Sequence, residues 1–150
     1  MGKGTPVNNE TIGGGRTPWH LWLVGIATLL FNAMGAMSYT MMRLDKLADL
    51  GMTPDQIAFM ESYPVWANGL WALGVWGAVA GSVLLLLRSR FAVAAIMIAL
   101  VGLIGTTFYN YALVEVPPNM QAPALDVAIW AVTLFLLFYA RRMVLAGVLR

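Results

Sequence analysis

Between Arg16 and Arg43 no side chain carries a formal charge. The stretch Trp19–Met42, WHLWLVGIATLLFNAMGAMSYTMM, exceeds the roughly 20 apolar residues that a helix needs to cross the hydrocarbon core of a bilayer. A segment of this length and character has one solvent that suits it on all sides, and that solvent is lipid. It is also longer than the apolar core of a signal peptide, and no small-x-small cleavage site follows a shorter core, so a retained span is expected.

Three more runs follow the same rule. Pro64–Leu87 has no charge between Glu61 and Arg88, Phe91–Val114 is apolar until its end, and Pro123–Ala140 carries only Asp126. The chain of 150 residues is 60% hydrophobic and 11% charged, against roughly 25% charged in a soluble domain, so it lacks the polar surface to stay in water. The expected architecture is all-α: a polytopic membrane protein with a bundle of four transmembrane helices over about 19–42, 64–87, 91–114 and 123–140. Residues 18–142 make one transmembrane domain, 1–17 read as a disordered glycine-rich tail, and 143–150 as a second tail.

The connections have their own signals. Arg88, Ser89 and Arg90 leave room only for a tight turn, which makes the second and third spans an antiparallel hairpin. Between spans one and two lies a short external lobe. There Thr53, Pro54, Asp55 and Gln56 spell a capping box with proline at the first helical position, opening a short helix that stops at Pro64. The first span is expected to run on as an amphipathic arm through MMRLDKLADLG, with Gly51 as its stop.

Orientation follows from the basic residues. Lys3, Arg16, Arg88, Arg90, Arg141, Arg142 and Arg150 lie on one side, and only Arg43 and Lys46 on the other. Basic residues mark the cytoplasmic side, so both termini are expected there, in an inner (cytoplasmic) membrane. Trp19, Trp22 and Tyr139 then form the inner aromatic belt, and Tyr39, Tyr63, Trp66, Trp71, Tyr109, Tyr111 and Trp130 the outer one.

Polar residues within the spans gather in the outer half: Tyr39, Asn68, Thr107, Tyr109, Asn110 and Asp126, with Asn32 deeper. Amides and hydroxyls in hydrocarbon need partners. Two readings meet that need: a polar outer-leaflet pocket lined by these seven candidates, or interhelical hydrogen bonds beside an interfacial tyrosine belt. Asp126 in the first turn of its helix suits the macrodipole, and how deep it sits depends on where that helix begins. Gly74, Gly77 and Gly81 are candidates for close helix packing, Gly77 and Gly81 forming a GxxxG pair. The sequence favours packing within the monomer over a dimer seam.

Zero cysteines and one histidine, His20, remove thiolate, iron–sulfur and paired-histidine metal sites, so neither cofactor nor metal is expected. The methionines, among them Met34, Met37, Met41 and Met42, leave copper handling as a minor alternative. No GxSxG, HExxH, Walker A or dinucleotide glycine motif occurs, so an enzyme is not expected, and no basic block suggests nucleic acid.

The opening WHLWLVGIATLLFNAMGAMSY, the hairpin PVWANGLWALGVWGAVAGSVLLLLRSRFAV and the TTFYNY end of the third span resemble a family of small bacterial four-span membrane proteins. Its members are often labelled sugar transporters. The resemblance spans most of residues 18–142. Where the family favours an acid before the tyrosine ending the first span, this chain has Ser38 before Tyr39. The expected function is that of a non-catalytic small integral membrane protein, an accessory subunit or ligand-binding bundle. The alternative is a small-solute transporter acting as an oligomer. Its partners are the lipid bilayer and either a second copy or a larger membrane complex.

Overall fold

The computed structural model describes Gly2, Gly4 and residues 16–150. The expectation of a disordered tail over 1–17 therefore lies almost wholly outside the described residues. The described chain is all-helical: α1 (Trp19–Arg43), a short α2 (Pro54–Glu61), α3 (Val65–Leu86), α4 (Phe91–Phe108) and α5 (Pro123–Leu145). Four helices, α4 counted with the turn that prolongs it to Leu113, are long and apolar enough to cross a membrane. The chain is a helical bundle of the multi-pass membrane type.

Three chain reversals share one device. At the end of α1 the Lys46 N–H donates to the Met41 carbonyl and the Asp45 N–H to Met42. The same pair recurs after α3 (Ser89 to Leu84, Arg88 to Leu85) and after α5 (Val148 to Met143, Gly147 to Val144). Each is a Schellman cap, which turns on one left-handed residue. Those residues are Asp45 (φ 56°), Arg88 (φ 59°) and Gly147 (φ 72°). The expected continuation of α1 to Gly51 is thus corrected: the helix stops at Arg43 because Asp45 takes the left-handed position. A separate 3₁₀ turn, Leu47–Leu50, then ends at Gly51 (φ 79°). The lobe helix α2 forms as its sequence predicts. Thr53 Oγ1 accepts from the Gln56 N–H at 3.3 Å, and Gln56 Oε1 accepts from the Thr53 N–H at 2.9 Å.

The hairpin α3–α4 is the scaffold. α1 packs on α3 and α5 on α4, while α1 and α5 meet through side chains near one end. Close approach within the hairpin needs small residues. A Cβ added at Gly77 would lie 2.9 Å from the Ala99 backbone nitrogen, and one at Gly102 would lie 2.6 Å from the Leu70 carbonyl oxygen. Gly74 faces the backbone of Gly102 and Leu103, and Gly81 faces the Ile96 side chain, so all three predicted packing glycines lie on this one intramolecular seam.

The core lies at one end. Leu21 of α1, Leu85 of α3, Ala92 and Ile96 of α4, and Leu136 and Ala140 of α5 are buried together there. His20 Nδ1 and the Tyr139 hydroxyl are hydrogen-bonded across the same closed end. α5, expected to end at Ala140, continues past Arg141 and Arg142 to Leu145. The Arg142 guanidinium lies over the Phe138 ring, 5.9 Å from its centroid, so a long side chain with a charged tip prolongs the helix without burying charge. Residues 143–150 are likewise not a free tail. Val148 and Leu149 join the core, and the Arg150 backbone pairs with the α3–α4 turn, donating to the Arg88 carbonyl at 2.9 Å and accepting from the Arg90 N–H at 3.0 Å.

Candidate functional site

At the opposite end, where α2 sits, α1 and α5 stand apart while α3 and α4 stay in contact. The polar residues fall into three separate groups rather than one pocket, two at this end and the third deeper in the bundle. The first is an aromatic cluster under the lobe. Tyr63, just after α2, donates to Asn110 Oδ1 at 2.5 Å, and its ring meets Tyr109 edge-on at 4.8 Å. Trp66 packs on Tyr109, and Tyr39 meets Trp71 edge-on at 5.2 Å. Asn68 Nδ2 donates to the Tyr63 carbonyl, while its Oδ1 is buried without a partner. Burial raises the Tyr63 pKa above that of an ordinary phenol, so the hydroxyl stays a donor.

The second group joins α4 to α5. Trp130 Nε1 donates to Thr107 Oγ1 at 3.2 Å, and the Tyr111 hydroxyl donates to Asp126 Oδ2 at 2.5 Å. α5 begins at Pro123, which places Asp126 in its first turn. α4 gives way after Phe108 to a π-helical turn, Tyr109–Leu113. Such turns are rare, and widening the helix here lets Asn110 reach the lobe while Tyr111 reaches α5. A recess of about 600 Å³ opens beside it, lined by Asn110, Tyr111, Glu115, Gln121 and Asp126 among others.

The third group is Asn32. Its Nδ2 donates to the Ala78 carbonyl at 3.3 Å and to Ser82 Oγ at 3.0 Å. Ser82 lies 3.3 Å from Thr28 Oγ1, and the Thr28 hydroxyl donates to the Val24 carbonyl at 2.7 Å. Ser82 is fully buried, so this relay ties α1 to α3 inside the bundle.

Beside Asn32 the gap between α1 and α5 forms a cleft of about 250 Å³ backed by α3 and α4. Its walls are mostly apolar: Phe31, Met34, Trp71, Val75, Leu103 and Ile129. Ser38, Thr106 and Thr133 are the other polar side chains on it. Met34 is 63% exposed and Leu125 is 51% exposed, one on each lip, so the cleft opens sideways.

Of the seven candidates from the sequence, only Asn32 lines this cleft; Asn110 and Asp126 line the recess, and Tyr39, Asn68, Thr107 and Tyr109 line neither. Sequence reasoning missed Tyr63 as the hub of the aromatic cluster and Ser82 as the partner of Asn32. Ser82 follows directly on Gly81 but points from another face of α3, toward α1, and a single hydroxyl within an otherwise apolar span was the available signal. No family model, curated protein or solved structure matches the chain.

Proposed function

We propose that this protein is a non-catalytic receptor or carrier for a small apolar or amphiphilic molecule taken from the bilayer. The observation that carries the reading is the apolar cleft between α1 and α5, which opens sideways between two helices long and apolar enough to cross a membrane. Pockets for small molecules are concave, mainly apolar and furnished with a few convergent polar groups, and the cleft has that make-up. A sugar would meet hydrocarbon walls here instead of the dense hydrogen-bonding lining it needs, which weighs against solute transport through this site. The arginines at the closed end support placing it, with both termini, on the cytoplasmic side of a bacterial inner membrane.

The test is mass spectrometry of the intact protein released from native membranes in mild detergent. A bound small molecule is expected, and it should be lost when the cleft is filled by Ile129→Trp or Ala78→Phe in variants that still purify as folded protein. Equal occupancy in the filled variants would refute the cleft as the site. A stoichiometric second protein in place of the small molecule would make the chain an accessory subunit.

A further inference from the structure

The hydrogen-bonding pattern of the cleft specifies the chemistry of its ligand. Three of its four polar side chains have already spent their protons. The Ser38 hydroxyl donates to the Met34 carbonyl, Thr106 to Gly102 at 2.8 Å, and Thr133 to Ile129 at 2.8 Å. Each is the back-bond of a helical serine or threonine to the residue four before it, and it leaves only oxygen lone pairs to a visitor.

Asn32 completes the pattern. The Ala78 carbonyl can only accept, so the amide end facing it must be Nδ2, and this fixes which way the side chain is turned. Both Nδ2 protons are engaged by α3, and Oδ1 has no partner among the described residues. Ser82 Oγ, which accepts from Asn32 Nδ2, has the Ala78 carbonyl at 3.0 Å and Thr28 Oγ1 at 3.3 Å as acceptors for its own proton, and turning the amide over would set Oδ1 against the Ala78 carbonyl. The side chains around the floor of the cleft therefore present acceptors alone. The indole N–H of Trp71 is the remaining donor on the walls. It sits seven residues nearer the lobe than Ala78, about 10 Å along α3 at ~1.5 Å per residue.

No acidic or basic side chain lines the cleft. A charged donor such as an ammonium would be desolvated there without a counter-ion, which is costly. A carboxylate, phosphate, ester or ketone would set lone pairs against lone pairs. We infer that the cleft takes a neutral hydroxyl-bearing lipid, an alcohol, which donates its proton to Asn32 Oδ1 while its apolar body lies between α1 and α5. The volume of about 250 Å³ exceeds the roughly 150 Å³ of an apolar cavity that takes a benzene ring, so the cleft holds a short apolar segment and a longer molecule leaves its remainder in the bilayer through the lateral gap.

This inference rests on the cleft being the binding site, and the test separates the two. The intact protein in lipid nanodiscs is titrated with an ω-bromo octanol, with its methyl ether and with the matching bromoalkane. Bromine quenching of Trp71 fluorescence is read as the part of the signal lost in Trp71→Phe. The expected result is that the alcohol half-saturates at about tenfold lower membrane mole fraction than the ether, as one added hydrogen bond to an otherwise unpartnered acceptor implies. In Asn32→Leu the two should become equal. Saturable quenching by all three probes alike would overturn the donor inference and leave the cleft intact as a site. Absence of saturable quenching by any probe would remove the site itself. The comparison of alcohol with ether on the unaltered chain stands even if Asn32→Leu does not fold.

Discussion

Alanine substitution along the α3–α4 seam should destabilise in a fixed order: Gly102 most, Gly77 less, and Gly74 and Gly69 not at all. At Gly102 the new Cβ would run into the Gly74 backbone nitrogen first and would also come within 2.6 Å of the Leu70 carbonyl oxygen, where ordinary contact begins at 3.4 Å, a shortfall of at least about 0.8 Å. The obstacle is helix backbone, so α3 and α4 must separate along their whole contact. At Gly77 the nearest obstacle is the Ala99 nitrogen at 2.9 Å; at Gly74 it is the Leu103 nitrogen at 3.5 Å; at Gly69 nothing lies within 4 Å. Overpacking costs about 1–3 kcal/mol, and replacing helical glycine by alanine returns up to about 1 kcal/mol. Gly102→Ala is therefore expected to lose about 1–2 kcal/mol, Gly77→Ala about 0–1 kcal/mol, while Gly74→Ala and Gly69→Ala are neutral or gain a few tenths. Unfolding in mixed micelles on titration with a denaturing detergent, followed by far-UV circular dichroism, gives the order directly. If Gly102→Ala proves as stable as Gly69→Ala, the seam is not where these helices meet.

Other outcomes follow from local geometry. Thr53→Ala removes the acceptor for the Gln56 N–H and should cost about 1 kcal/mol, confined to the lobe; proteolysis between Asp49 and Ser62 would speed up while the spans stay protected. Asp45→Gly relieves a left-handed residue with a side chain and should stabilise by about 0.5–1 kcal/mol, read by the same micelle titration. Tyr63 has its pKa raised by burial, so the stability it lends is fully present below about pH 10, the ordinary phenol value, and is lost as pH rises through its higher folded value. Alkaline titration of tyrosine absorbance should show a late-ionising group that Tyr63→Phe deletes.

Residue by residue, what could be read in advance was what depends on composition and short-range signals. The four apolar runs, the Arg88–Ser89–Arg90 turn and the Thr53–Gln56 capping box each carry their cause within a few neighbours. The end of α1 did not, because the left-handed position of its Schellman cap is held by Asp45, and aspartate is a weaker stop signal than the glycine at 147. The π turn after Phe108 was equally silent, since Tyr109–Leu113 have no composition of their own and the widening answers to partners on α5 and the lobe. The candidate site suffered for a related reason. Asn68, Tyr109, Asn110 and Asp126 share a depth, and depth was legible; which face each points from depends on helix rotation, which four nearly uniformly apolar helices do not record. They proved to be engaged with one another or with their neighbours, while the open cleft is framed by side chains, Met34 and Leu125 among them, that look like ordinary lipid-facing residues.

A bundle stitched at one end by Arg150 and a shared core, and parted at the other, has the mechanics of a pair of tongs. The pivot is the closed end, and the jaws are the lobe-side halves of α1 and α5. Spans tilt more when the bilayer is thinner than their apolar length, so jaws that share a pivot should spread in thin membranes and close in thick ones. Spin labels at Met37 and Val127 in bilayers of graded acyl length would register that spread as distance, and an unchanging distance would mean a rigid frame. If the jaws do move, the thickness of the membrane around this protein sets how wide its cleft stands, and so whether anything can enter.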